Sequence, residues 1–225
     1  MKPQALLFLV AAALPFAARA DAPKYPQLAP ISQYLIADRQ AEIALARSAA
    51  APSISKDATV LVLASHGYEM AVKGTNGWVC FVERSWSSPF SDPEYWNPKE
   101  RSPNCFNPLA ARGELPQYLQ LTRWALSGLT VPQIIEKTKA AVADHTFKAP
   151  EPGAFSLMMS KRGYLSDAAG GPWFPHVMLF IPRGQTNDWG PDRAGSPAFS
   201  QDRGEYQATM MMIPVRQWSD GTPAK

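Results

Sequence analysis

Residues 59–83 constrain the fold more than any other stretch of this chain. Thr59-Val60-Leu61-Val62-Leu63-Ala64 is a β-rich run, broken by Ser65-His66-Gly67. Tyr68-Glu69-Met70-Ala71-Val72 and Trp78-Val79-Cys80-Phe81-Val82 follow as two further strand patterns. Asn76-Gly77 between them is a strong hairpin signal, because both residues tolerate positive φ. Together these predict an antiparallel meander of three strands. Residues 60–63 and 78–82 are apolar at every position, the pattern of strands covered on both faces.

The remaining chain alternates helical and strand signals. Residues 31–50 predict a helix rich in Ala, Leu and Ile, stopped by Pro52. Residues 115–127 predict a second, ended by Gly128. Thr130-Val131-Pro132-Gln133 fits a capping box with Pro in the first turn, and opens a third helix to about Asp144. Strand character returns at 154–159, 176–181 and 206–215, with Pro214 pushing the last toward an edge. Residues 184–204 are polar and loop-like. This order predicts an α+β domain: an antiparallel sheet of about six strands, with three helices packed mainly on one face. Residues 21–225 are expected to form that one domain.

Residues 1–20 set the expected compartment. A charged Lys2, an apolar run over 5–18 and a closing Ala18-Arg19-Ala20 have the layout of a cleaved secretory signal peptide. The apolar run is shorter than the roughly 20 residues a spanning helix needs, so no stable membrane span is expected. The expected location is periplasmic or secreted. Loss of Lys2 and Arg19 would lower the formal net charge from +3 to +1. No basic run is interleaved with aromatics, so nucleic acid is not an expected partner. In an oxidising compartment the two cysteines, Cys80 and Cys105, favour one structural disulfide.

Residues 85–112 carry Pro89, Pro93, Pro98, Pro103 and Pro108 with Trp86, Phe90, Tyr95, Trp96 and Phe106 between them. This predicts a long ordered loop, and loops of such length are usually functional or disordered. Trp173 and Phe174 sit in a second stiff segment, Gly171-Pro172-Trp173-Phe174-Pro175. Aromatics on Pro-stiffened loops build apolar pockets, so Trp86, Tyr95, Trp96 and Trp173 are the candidate ligand-binding residues. The ligand would be a small or extended molecule, held in a cleft between the 85–112 and 166–176 segments.

Two other chemistries compete with this reading. Ser65, His66, Glu69, Asp167 and His176 include the residue types of acid–base or nucleophilic catalysis, with His66, Glu69 and His176 the first candidates. Imidazole with thioether from Met158, Met159, Met178 or Met210 to Met212 would suit a soft ion such as Cu(I). No metal motif is present, so no metal site or cofactor is assigned. Ser53-Ile54-Ser55-Lys56 matches the Ser-x-x-Lys of penicillin-recognising serine enzymes, but it precedes the first strand and lacks their spacing.

The segments Gly67-Tyr68, Lys73-Gly74-Thr75-Asn76-Gly77, Cys80-Phe81-Val82-Glu83-Arg84, Met158-Met159-Ser160-Lys161 and Trp173-Phe174-Pro175-His176 resemble a group of small, uncharacterised exported bacterial proteins. The resemblance covers most of the chain after residue 20. It implies export and a bacterial origin, and brings no activity or site residues. The reading is therefore a non-catalytic exported binding domain, with a hydrolase using His66 and His176 as the alternative and periplasmic copper binding third. Whether the chain is an enzyme stays open at this point.

Overall fold

The computed structural model describes residues 24–167 and 173–224. The expected signal peptide lies outside these residues. The chain is α+β, built on one eight-stranded sheet with six α-helices among the described residues. The strands are β1 (Thr59–Ala64), β2 (Gly67–Val72), β3 (Val79–Glu83), β4 (Ser102–Phe106), β5 (Phe155–Met158), β6 (His176–Pro182), β7 (Phe199–Asp202) and β8 (Ala208–Pro214). Their order across the sheet is β2-β1-β3-β4-β5-β6-β8-β7. The helices are α1 (Arg39–Arg47), α2 (Pro52–Ser55), α3 (Pro108–Gly113), α4 (Leu115–Leu126), α5 (Val131–Ala143) and α6 (Thr186–Trp189). Among the described residues, no helix is long and apolar enough to cross a membrane.

The expected six-stranded antiparallel sheet needs correction on both points. β1 and β2 form the antiparallel hairpin, but β3 pairs with the other side of β1, and runs parallel to it. Asn76-Gly77 therefore turns a crossover rather than a hairpin. Burial explains the difference. β2 is polar and exposed over Glu69 and Met70, which suits an edge, whereas the apolar run of β3 needs neighbours on both sides. The crossing chain is stitched to the start of β1. Thr75 N donates to Asp57 O at 2.8 Å, Gly74 N to Thr59 Oγ1 at 3.1 Å, and Asn76 Nδ2 to Ile54 O at 2.8 Å. A Cβ on Gly74 would lie 2.1 Å from Thr59 N, so only glycine permits the crossing.

The two additional strands come from segments expected to be loops. Ser102-Pro103-Asn104-Cys105-Phe106 has no apolar alternation, yet all five residues are buried as β4. Pro103 sits opposite Val82 within this strand. Residues 199–202 add β7 outside β8. The predicted helix at 31–50 shortens to a 3₁₀ turn at Ile31–Gln33 and α1, whose cap is Asp38 accepting from Gln40 N at 2.8 Å. α4 and α5 lie where the pattern placed them, and Thr130 and Gln133 form the expected capping box.

Helices cover both faces of the sheet, not mainly one. Alternation sends Val60, Val62, Cys80, Val82, Cys105 and Leu157 to one side, against Ile43, Ala46 and Ala49 from α1 and the turn after it. Leu61, Phe81, Phe106, Met158, Met178 and Phe180 point the other way, into one cluster that also holds Ala110 of α3 and Leu115 and Tyr118 of α4. A third cluster joins Tyr34, Trp86, Tyr95, Trp96 and Tyr206 to Leu121 and Ala125 of α4 and Ile134 of α5.

Two linkages tie this framework. Cys80 and Cys105 face each other across β3 and β4 and form the expected disulfide, fully buried beneath α1. Arg84, also fully buried, donates from Nη2 to Glu42 Oε1 of α1 at 2.9 Å and from Nε to Tyr34 O at 2.8 Å. The same Glu42 oxygen accepts Leu63 N of β1 at 3.1 Å. Removing one partner of such a pair leaves a buried charge alone, which costs about 3–5 kcal/mol. Glu42→Gln and Arg84→Met should each lower the melting temperature by on the order of 10 °C, read by circular dichroism. An unchanged melting temperature would mean that the pair is not buried. Replacing both cysteines by alanine closes no 25-residue loop and should cost about 3 kcal/mol in urea unfolding.

Candidate functional site

One cavity of about 430 Å³ opens over β5, β6, β8 and β7, on the face that carries α3 and α4. Its walls come from two parts of the chain that the sequence reading paired. Glu83, Ser87, Ser88, Glu100 and Ser102 line one side, and Leu165, Trp173, Phe174 and His176 the other. The floor is Met158, Met178, Met210 and Met212. Strand alternation selects these residues: Met158 lies opposite His176, Met178 opposite Met212, and Phe199 opposite Met212 on its far side.

Half of the described lining residues are polar, Ser200 and Gln201 among them, and several are held by hydrogen bonds. Glu83 ends β3, and Oε1 accepts Asn104 Nδ2 at 2.6 Å. Burial pushes its carboxyl up to about 7, against the pull of the Asn104 hydrogen bond and of the Arg203 charge. Glu100 Oε1 accepts Ser102 Oγ at 3.0 Å, and burial raises this carboxyl well above the usual range, helped by the neighbouring Glu83 and Asp92. His176 Nδ1 lies 3.0 Å from Phe174 O. A carbonyl can only accept, so Nδ1 carries the hydrogen and Nε2 holds the free lone pair. Burial lowers the imidazole pKa, which favours this neutral form. Among the described residues, no lysine or arginine lines the cavity.

Arg203, whose charge acts on Glu83, is held outside the lining. It is fully buried, stacked 4.7 Å over Tyr118 and 4.1 Å over Tyr206, and donates from Nη2 to Ser87 O at 3.1 Å. Trp173 is fixed by Nε1 donating to Ser160 O at 2.6 Å and by lying flat on Gly163, where a Cβ would come 2.2 Å from the ring. The rings of Trp173 and Phe174 lie 5.9 and 4.9 Å from His176.

The sequence candidates divide accordingly. Trp173 and His176 line the cavity. Trp86, Tyr95 and Trp96 do not line it: all three are buried in the core. Trp86 Nε1 donates to Thr122 Oγ1 at 2.9 Å, and its ring meets Tyr34 at 4.9 Å. The prolines of this segment fold its aromatics inward under the loop, leaving serines and Glu100 toward the cavity. His66 is exposed in the β1–β2 turn, and Glu69 is exposed on edge strand β2, paired with Arg39. β3, β4 and β5 lie between β1 and β6, so four spacings of about 4.8 Å separate His66 from His176. No single reacting atom can reach both. Asp167 takes hydrogen bonds from Lys24, Tyr25, Lys99 and Tyr164; those from Lys24, Tyr25 and Lys99 hold its carboxyl below the usual range, and the first two clamp the described N-terminal end.

Glu83 and Glu100 were not singled out from the sequence. An acidic residue closing an otherwise apolar strand, Val79-Cys80-Phe81-Val82-Glu83, was the available signal for the first. Glu100 had none, because its burial depends on β4. Among the described residues, no three of His, Cys, Asp and Glu are grouped to hold a metal ion. Comparison of the chain with family models, with curated proteins and with solved structures returns no match.

The raised carboxyl of Glu83 has a definite consequence for stability. The folded state keeps its proton up to about pH 7, while the unfolded chain releases it near 4.3. The contribution is fully present below the lower value and is lost as pH rises to the higher. Glu83→Gln keeps an acceptor for Asn104 and should gain on the order of 3 kcal/mol relative to wild type between pH 4 and pH 8. His176, whose pKa is lowered, works in the opposite direction below 6.5, in both proteins alike. Urea unfolding at the two pH values reads the difference. A gap that does not change with pH would place Glu83 in water.

Proposed function

We propose that this chain is an exported, non-catalytic binding domain whose site is the cavity between the 83–102 and 165–176 segments. The cavity itself carries the proposal. It combines an apolar wall of methionine and aromatic side chains with fixed polar groups, which is the make-up of small-ligand sites. Its volume of about 430 Å³ suits a small organic molecule. Among the described residues the lining has two carboxyls and one imidazole but no lysine or arginine, so the ligand class is uncharged or cationic rather than anionic. The resemblance to exported proteins and the buried disulfide support a site that works in an oxidising compartment. A hydrolase using His66 together with His176 is not proposed, since those residues stand at opposite parts of the sheet.

The test uses the neutral fluorescent probe N-phenyl-1-naphthylamine. Saturable uptake at one site per chain is expected. Trp173→Ala should weaken it about ten-fold, equivalent to about 1.4 kcal/mol, while Glu69→Gln on the distant edge strand should leave it unchanged. Absence of saturable uptake by the folded protein, or equal affinity in Trp173→Ala, would overturn the proposal.

A further inference from the structure

We infer that the methionine floor of this cavity is a site for a soft monovalent metal ion of the Cu(I) type, held by His176 Nε2 and the thioethers of Met158, Met178 and Met212. The inference rests on the reading of this cavity as a ligand site, and adds a metal ion at its floor to the organic ligand the volume suits.

The register brings the donors together. Met158 and Met178 flank His176 on the same face of β5 and β6, one directly opposite it and one two residues along. Met178 in turn faces Met212. Directly opposed residues on neighbouring antiparallel strands have Cβ atoms about 4.5–5.5 Å apart, and methionine has three rotatable bonds with which to close on a common point. All four side chains line the same cavity. Four of the eight methionines in the chain are in that lining. An apolar floor alone would be served as well by leucine, which has better-defined rotamers.

The imidazole is prepared as a ligand. Its Nδ1 is committed to the Phe174 carbonyl, and Nε2 makes no hydrogen bond within the described residues. A metal-binding histidine usually holds its other nitrogen in this way, which fixes ring orientation and tautomer. The donor set also selects the ion. Imidazole and thioether are neutral and soft, which suits Cu(I) and Ag(I) and disfavours Mg²⁺ and Ca²⁺. Both cysteines are joined in the disulfide, so thiolate is excluded from the site. The described residues contain no cluster of three His, Cys, Asp or Glu that would draw Zn²⁺ elsewhere. Trp173 and Phe174 pack beside the imidazole, where their ring faces can screen a bound cation from water.

Silver(I), a redox-inert stand-in for Cu(I), tests the site on protein labelled with ¹³C at the methionine methyl groups. One equivalent should shift the methyl signals of Met158, Met178 and Met212 and leave that of exposed Met70 unchanged. Met178→Leu and Met212→Leu conserve volume and should keep the fold, checked by circular dichroism. Each should lower Cu(I) affinity at least ten-fold in competition with a colorimetric Cu(I) chelator. Zn²⁺ should not compete. Absence of saturable methyl shifts, unchanged affinity in both leucine variants, or Zn²⁺ binding as tight as Ag(I) would overturn the inference. If Ag(I) fails while N-phenyl-1-naphthylamine still enters, the inference falls and the cavity remains a ligand site. If neither binds, both readings fall.

Discussion

The buried pair of Arg84 and Glu42 organises the sheet and, through it, the cavity. A guanidinium taken out of water needs a charged partner and several acceptors, and here they come from three residues. Glu42 supplies the carboxylate from α1, Tyr34 and Val82 supply carbonyls, and Leu63 of β1 shares the carboxylate oxygen. Helix α1 is thereby locked over β1 and β3. Strand alternation does the rest. With Arg84 directed toward α1, its neighbour Glu83 must point to the opposite face, where the cavity lies. The Cys80–Cys105 bridge lies on the same face as Arg84 and keeps β4 at the side of β3, so that Asn104 and Ser102 reach the two carboxyls.

The cavity exists because the face opposite α1 is unevenly covered. Helices α3 and α4 pack on the part of the sheet that carries Leu61, Phe81 and Phe106. Over Met158, Met178 and Met212 the wall is made instead by Trp173, Phe174, Phe199 and the serines after β3. Two classes of polar group then meet in one apolar volume. Carboxyls whose pKa burial raises stand at one side, and an imidazole with four thioethers stands at the other. An enclosure of this kind raises the strength of every electrostatic contact made inside it.

The errors of the sequence reading share a cause. Asn76-Gly77 is a good turn, and it does make one, but turn chemistry does not say which side of β1 receives the next strand. That choice is set by which strands must be buried on both sides. Pro103 similarly argued against a strand, yet β4 tolerates it because β5 pairs only with Cys105 and Phe106, so Pro103 meets a partner strand on the β3 side alone. Trp86, Tyr95 and Trp96 were read toward a ligand because Pro-stiffened aromatic segments fit both a pocket wall and a core. Their burial against α4 and α5 depends on helices 20 or more residues further along the chain.

By itself, the sequence determined what short-range physics controls. The helix cap at Thr130, the apolar runs of β1, β3 and β6, and the chemistry of two cysteines follow from residue type and local spacing. Only the tertiary structure decided the strand order, the parallel pairing of β1 with β3, and the meeting of Glu83, Glu100, His176 and the four methionines. These groups come from five separate stretches of chain. Their convergence depends on strand pairing across long sequence separations, and periodicity within a strand carries no record of its neighbour.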